Sequence, residues 1–152
     1  MEKLDYTQLA YEIATCLKEA ENIVFSTCAD DRVTARTMCH VNDGLVVMFG
    51  TGGDSLKVEQ IKCNSNVALV CGGLQMEAVA ELCGPPSKHA VYSTLNDEKF
   101  PWMKDAYPLD PEVDDTGMLV VCRPKKILLY KYLDGQPHWD VLDAETQTAY
   151  RR

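Results

Sequence analysis

The sequence predicts a mainly β protein with helices, of the α+β class, whose strands are antiparallel. Two observations lead to this prediction. Residues 23–83 and 118–132 contain apolar or alternating segments of strand length, separated by short turns. The helical pattern inserted among these strands is too short to suggest a doubly wound parallel sheet. About four or five hairpin-linked strands with flanking helices therefore indicate an antiparallel barrel with helical additions.

The N-terminal segment, residues 5–21, predicts an amphipathic helix. Asp5 with Gln8 three positions later resembles a capping box. The apolar residues of this segment recur at spacings of three and four, which places them on one helical face. They are Tyr6, Leu9, Ala10, Ile13, Cys16, Leu17 and Ala20.

The following residues predict a hairpin. A short β-rich run at residues 23–28 is followed by a turn and by an alternating strand at residues 33–41. One face of the alternating strand carries Thr34, Arg36, Met38 and His40. The Asp43-Gly44 pair then suits a tight turn, because both residues tolerate positive φ.

A buried strand and a helix start are expected next. The apolar run at residues 45–49 predicts a strand covered on both sides, which we expect to break at Thr51 and the two glycines after it. Asp54 or Ser55 is placed to cap a helix that continues to about residue 62.

More strands and a helix are expected toward the C terminus. The strands are expected at residues 67–71, 75–83, 118–122 and 126–132. Arg123-Pro124 is expected to separate the last two of these strands. A helix is expected at residues 89–99. Residues 100–115 predict a loop or short helical turns, either a gate over a pocket or a plain connector.

Composition excludes several functional classes. The 152 residues suggest one domain spanning residues 1–152, and the net charge of −8 argues against nucleic-acid binding. The seven cysteines show neither CxxC pairs nor Cys/His ligand spacing, so no metal site is expected. Their odd number and the lack of a secretory signal favour reduced thiols in the cytoplasm. No apolar run approaches the roughly 20 residues of a membrane span.

Residues 33–66 carry the strongest indication of function. The strand with Arg36 and the helix start with Ser55 and Lys57 can bring a guanidinium, hydroxyls, an ammonium and unpaired backbone N–H groups together. Such a set suits a phosphate monoester, because a dianion pairs with a forked Arg, a point-charge Lys and a helix N-terminus. The partner that it suggests most is flavin mononucleotide (FMN).

The ordered set of motifs in this region resembles the FMN-binding split-barrel family, typified by pyridoxamine 5′-phosphate oxidase. The matching motifs are Arg36-Thr37-Met38, Phe49-Gly50-Thr51, Ser55-Leu56-Lys57 and the strand start Asn64 to Leu69. This resemblance implies a split β-barrel of six or so strands with an N-terminal helix and helical insertions. It also implies a homodimer with FMN at its interface.

The resemblance assigns roles to individual residues. The FMN phosphate would lie near Arg36, Ser55 and Lys57, and Gln75 could reach a flavin carbonyl. The isoalloxazine ring would lie against the backbone of Thr37, Met38, Cys39, Phe49, Gly50 and Thr51. The implied activity is an FMN-dependent oxidoreductase that moves hydride through flavin N5 to or from an unidentified small substrate. The C-terminal Arg-rich signature that holds pyridoxal phosphate is missing, so vitamin B6 oxidation is not expected.

Other readings stay open at this point. The same fold could serve as a non-catalytic flavin or haem carrier, with His40 and His89 as candidate axial ligands. An interaction domain that uses the acids of residues 97–115 is a third reading. Trp102 and Trp139 could each cover a flavin or simply pack a loop onto the barrel.

Overall fold

The computed structural model describes residues 1–107 and 116–152. The helices are α1 (Tyr6–Glu19), α2 (Leu56–Cys63), α3 (Ala90–Lys99) and α4 (Pro101–Ala106), and a 3-10 turn covers Pro86–Lys88. The strands are β1 (Glu2–Lys3), β2 (Asn22–Ala29), β3 (Arg32–Cys39), β4 (Val41–Asp43), β5 (Val46–Gly52), β6 (Asn66–Cys71), β7 (Leu74–Leu82), β8 (Gly117–Leu133), β9 (Gln136–Asp143) and β10 (Thr148–Arg151). Among the described helices, none is long and apolar enough to cross a membrane.

The strands form one antiparallel sheet that curls around a core, as expected for a split barrel. Along its main path the order is β1-β10-β9-β8-β7-β6-β2-β3, and β5 joins the side of β8 with β4 beyond it. In the described residues the sheet has ten strands rather than six or so. The additional strands are the short β1 and β4 and the two strands of the C-terminal tail, a segment whose sequence pattern is weak.

The core lies inside the curled sheet and is closed by α1. Phe25 and Phe49 are fully buried and meet edge to face, with ring centroids 4.8 Å apart. Leu9, Ile13 and Leu17 project from one face of α1 into the same cluster, which confirms the predicted amphipathic helix. The predicted cap is also present, because the backbone N–H of Gln8 donates to the Asp5 carboxylate at 2.8 Å.

The predicted break at Arg123-Pro124 is wrong. Strand β8 runs through both residues, and only a bulge in its pairing with β7 marks the place. On its other side β8 pairs with β5 up to Cys122 and with β9 from Lys126 onward. Pro124 therefore lies where that side of β8 changes neighbours, so its missing N–H costs no ladder hydrogen bond on that side. This change of neighbour splits the barrel.

Two smaller boundaries also differ from the sequence prediction. Strand β5 does not break at Thr51 but continues through Gly52, because Thr51 and Gly52 pair with Met118 and Gly117 of β8. The alternating strand predicted at residues 33–41 instead ends at Cys39, and β4 begins after His40.

His40 is buried at the junction of β3, α1 and α3. Its Nε2 donates to the backbone oxygen of Leu17 at 2.8 Å, and Nδ1 has no hydrogen-bond partner among the described residues. Lys99 Nζ lies 3.5 Å from Nε2 and donates to the Ala20 oxygen at 2.6 Å, so both side chains satisfy carbonyls at the end of α1. Burial, and secondarily the charge of Lys99, lowers the pKa of His40 to about 4.

This shift predicts a contribution to acid sensitivity. The native pKa of about 4 lies below the ordinary 6.5, so the neutral form stabilises the fold. That stability is present above pH 6.5 and is lost as the pH falls toward 4, by on the order of 3 kcal/mol. His40→Gln keeps an N–H donor for Leu17 but does not titrate. We expect urea unfolding at pH 7 and pH 4 to show a smaller loss for the variant than for the wild type; equal losses would contradict the role of His40.

Candidate functional site

The guanidinium of Arg36 lies on the inner face of β3, half-buried beside Phe25. Nη1 donates to the backbone oxygen of Phe25 at 3.2 Å and to Thr27 Oγ1 at 2.9 Å, and Nη2 donates to Thr34 Oγ1. These are neutral acceptors. Nε–H and the second N–H of Nη2 make no hydrogen bond within the described part of the chain, so they remain for a ligand.

The start of α2 adds a cation and a hydroxyl. Lys57 occupies the first turn and donates from Nζ to Thr51 Oγ1 at 2.7 Å. Ser55 stands at the N-cap position, as predicted, but its hydroxyl makes no capping bond. This hydroxyl is buried and has no partner among the residues that the structure describes. A buried, unsatisfied hydroxyl is costly, and an anion at the helix start would satisfy it.

The two cations lie close enough to affect one another. Burial, followed by the positive charge of Arg36, lowers the pKa of the Lys57 ammonium. Burial also lowers the pKa of Arg36, although a guanidinium stays charged. No carboxylate in residues 1–107 or 116–152 forms a salt bridge with either side chain. The site is thus a local positive pair in an acidic protein, and the position of Lys57 also opposes the dipole of α2.

The other predicted cofactor residues separate into two groups. On the inside, Met38 packs against the core, the Phe49 ring is fully buried in it, and Gly50 faces Tyr92. On the outside, the side chains of Thr37, Cys39 and Gln75 are exposed. The structure therefore brings Arg36, Thr51, Ser55 and Lys57 together, but it does not bring Gln75 to them within one copy of the chain.

The glycines near this site have internal reasons for their small size. A Cβ at Gly53 would lie 2.6 Å from the backbone oxygen of Thr116. At Gly50 a Cβ would lie 3.2 Å from the Tyr92 hydroxyl and 3.3 Å from Pro86. Between them the strand opens toward a cavity of about 420 Å³, whose described lining includes Thr51, Asn96 and Met103.

Sequence reasoning missed the cluster around Arg36. Thr27 and Thr34 accept from its guanidinium, and Gln60 accepts from both threonines. Alternation along β3 already places Thr34 on the Arg36 face, so that contact carried a signal. Thr27 pairs with Thr34 across the β2–β3 hairpin, so that contact depends on the hairpin register. Gln60 reaches the same cluster from α2, about 30 residues away in sequence, and no spacing rule predicts that contact.

The remaining candidates do not join this site. The Nε2 atoms of His40 and His89 are hydrogen-bonded to Leu17 O and Cys83 O, which leaves neither available to a haem iron without breaking a bond. Trp102 is exposed and contacts Phe100, whereas Trp139 packs edge to face on Tyr130. The described residues contain no cluster of three metal-ligating side chains.

The segment expected to be a loop or short helical turns is partly described. Residues 101–106 form α4, and residues 108–115 lie outside the described part. The acidic residues that an interaction domain would use, in residues 97–115, lie partly in the same segment.

Comparisons with known proteins give fold similarity alone. No family profile matches the chain, and no curated protein is similar to it in sequence. A solved structure from Clostridium acetobutylicum, described as related to general stress protein 26 of the pyridoxinephosphate oxidase family, matches with a TM-score of 0.63, 16% identity, 95% of this chain and 99% of its own. An F420 reductase matches at 0.56 with 21% identity, 74% of this chain and 93% of its own. The haem storage protein HutZ from Vibrio cholerae matches at 0.60 with 15% identity, 78% of this chain and 92% of its own. The chain therefore has the split-barrel fold of the pyridoxamine 5′-phosphate oxidase-like proteins.

Proposed function

We propose that the chain is a single FMN-binding split-barrel domain that acts as an FMN-dependent oxidoreductase on a small substrate. The observation that supports this most is the positive pair of Arg36 and Lys57, with no carboxylate partner among the described residues, beside the buried unpartnered hydroxyl of Ser55. These are the three residues that the resemblance assigns to the FMN phosphate.

The residues present suit a terminal phosphate. Arg36 has two N–H groups to offer, Lys57 adds a point charge, and Ser55 adds a hydroxyl donor. A bound dianion would replace repulsion between the cations with attraction and would satisfy Ser55. It would also reverse the effect of Arg36 on Lys57, since the Lys57 pKa would rise on binding.

FMN, when bound, would supply redox chemistry at its N5 atom. The contribution of this chain would be to bind and orient. Strand β3 is the last strand of the sheet's main path, so a ligand held by Arg36 can extend past its edge. The cavity of about 420 Å³ beside Thr51 offers room for a substrate next to the expected ring position.

A second copy of the chain is proposed to cover the outer face of β2, β3, β6 and β7. This outer face carries Val24, Val33, Val70 and Val79, which are 41%, 70%, 39% and 37% exposed. Thr37, Val24, Val70 and Gln75 form a continuous cross-strand row on it. Three of these valines lie on the central strands β2, β6 and β7, and exposed valines there are unusual for a sheet face in water. A homodimer through this face would bury them and bring Thr37 and Gln75 into the interface.

Charge placed on the outer face should prevent dimerisation. Val70→Lys puts an ammonium on the central strand β6, and we expect sedimentation or light scattering to show a monomer that retains less FMN. Val91→Lys on α3 is the matched control, because Val91 is 58% exposed and belongs to a helix and not to the outer face. A Val70→Lys protein that stays dimeric, or a monomeric wild type, would contradict the proposed interface.

The cofactor itself is tested by the absorption spectrum of freshly purified protein and by mass spectrometry of what is released on denaturation. We expect the visible bands of an oxidised flavin and the mass of FMN. Bleaching on addition of NADH or NADPH would support catalysis. Bound FMN that no such donor reduces would favour a carrier role.

Two other cofactors are separated by the same spectrum. F420 reductase and the haem storage protein have this fold by comparison, so a deazaflavin or haem is a distinct outcome. A Soret band would indicate haem, although the engaged Nε2 atoms of His40 and His89 do not favour it. A cytoplasmic location stays a prediction, as does the absence of nucleic-acid and membrane partners.

A further inference from the structure

Gln60 connects α2 to the strands that carry the phosphate site. Its side chain is only 4% exposed, and its Nε2 donates to the backbone oxygen of Arg32 at 3.0 Å. Because a carbonyl oxygen can only accept, this bond fixes which end of the amide faces Arg32. The amide oxygen Oε1 must therefore face the opposite way, toward Thr27 and Thr34.

Both threonine hydroxyls donate their protons to that oxygen. Thr27 Oγ1 lies 2.5 Å and Thr34 Oγ1 lies 2.6 Å from Gln60 Oε1, and each hydroxyl has one proton to donate. With both protons directed at Oε1, the lone pairs of both hydroxyls are left for the guanidinium of Arg36. The amide thus fixes which atoms of the cluster donate hydrogen bonds and which accept them.

This arrangement holds a cation without neutralising it. An arginine in a protein interior is usually held by a carboxylate, which cancels its charge. Here the acceptors are two hydroxyls and the Phe25 carbonyl, and Gln60 behind them is an amide. The full charge of Arg36 is left to act on a ligand and on Lys57, whose pKa burial lowers and Arg36 lowers further.

We propose that Gln60 is the positioning residue of the phosphate site: its amide orients Arg36 through the hydroxyls of Thr27 and Thr34 while leaving the guanidinium charge uncompensated. This inference rests on the proposed function, since it names what prepares the same site for the phosphate of FMN. It predicts that Gln60 contributes to the affinity for the phosphate group of FMN but not to the affinity for its isoalloxazine ring.

Two variants and two probes test the proposal. Gln60→Glu keeps the shape and adds a negative charge behind Arg36, and Gln60→Met keeps the length and removes both hydrogen-bonding groups. Dissociation constants for FMN and riboflavin are measured for each variant. We expect Gln60→Glu to weaken FMN binding at least tenfold and Gln60→Met to weaken it about tenfold. Both variants should change riboflavin binding less than twofold. Gln136→Glu, an exposed site on β9, is the control for the added charge.

Each outcome decides the proposal. If the affinities for FMN and riboflavin fall equally, or if neither affinity changes, Gln60 does not position the phosphate group and the proposal is overturned. Should Gln60→Glu fail to fold, because its second oxygen faces the Arg32 carbonyl, Gln60→Met decides by the same ratio. A wild type that binds inorganic phosphate but no FMN, with phosphate weakened by Gln60→Glu, would refute the proposed cofactor and keep the positioning role. A wild type that binds neither refutes both.

Discussion

Replacing Arg36 by alanine should weaken FMN binding by about a hundredfold or more, equivalent to about 2.7 kcal/mol of binding free energy. The reason is that the variant removes the forked donor and one of the two charges, and leaves Lys57 as the remaining cation beside the phosphate. Riboflavin lacks the phosphate, so its affinity should change only a fewfold. Fluorescence quenching of both flavins, measured at low and moderate salt, separates the phosphate contribution from ring binding.

Arg32→Ala is the matched control for this experiment. Arg32 belongs to the same strand, but its side chain is exposed and only its backbone oxygen contacts the site. We expect Arg32→Ala to retain FMN. If Arg36→Ala binds FMN as the wild type does, or loses riboflavin to the same extent, the guanidinium does not hold a phosphate.

Replacing Asp140 by alanine should cost about 3–5 kcal/mol of unfolding free energy. Asp140 is 1% exposed and accepts from Arg151 Nε at 2.7 Å and Nη2 at 3.0 Å, while Lys131 Nζ lies 2.7 Å from its Oδ2. Burial alone would raise the pKa of Asp140, but the hydrogen bonds from both cations hold it below its usual range. Removing the carboxylate leaves two largely buried cations, eased by the partly exposed Glu12 beside Lys131 and by the exposed Glu2, which lies 3.9 Å from Arg151.

Urea unfolding at pH 7 measures this cost. Native domains have only about 5–15 kcal/mol of stability, so Asp140→Ala should lower the midpoint severely. Glu81→Ala serves as the control, because its ion pair with Arg123 at 3.4 Å is exposed and should contribute less than about 1 kcal/mol. Equal effects of the two substitutions would show that the Asp140 cluster does not hold β8, β9 and β10 together.

Much of this fold could be predicted because its signals are local. The face of α1, the Asp5 cap, the hairpin at Gly44 and the face of β3 that carries Arg36 all follow from spacing and turn chemistry. The continuity of β8 was not predictable from the same rules. Whether a proline ends a strand depends on which neighbour lies beside it, and that is decided by pairing across the whole sheet.

The site shows the same division between local and distant information. Arg36, Ser55 and Lys57 could be singled out because each lies in a motif a few residues long. The contacts of Gln60 with Thr27 and Thr34 join three separate elements, so they become visible only in three dimensions. The exposed valines were equally hidden, because an apolar strand does not reveal which of its faces a helix will cover.

The most direct test of the phosphate site is a side-by-side titration of the cofactor-free wild-type protein with FMN and riboflavin by calorimetry. If the uncompensated Arg36–Lys57 pair holds the terminal phosphate, FMN should bind at least a hundredfold more tightly than riboflavin, a difference of about 2.7 kcal/mol. Equal affinities, or no binding of FMN at all, would contradict the assignment.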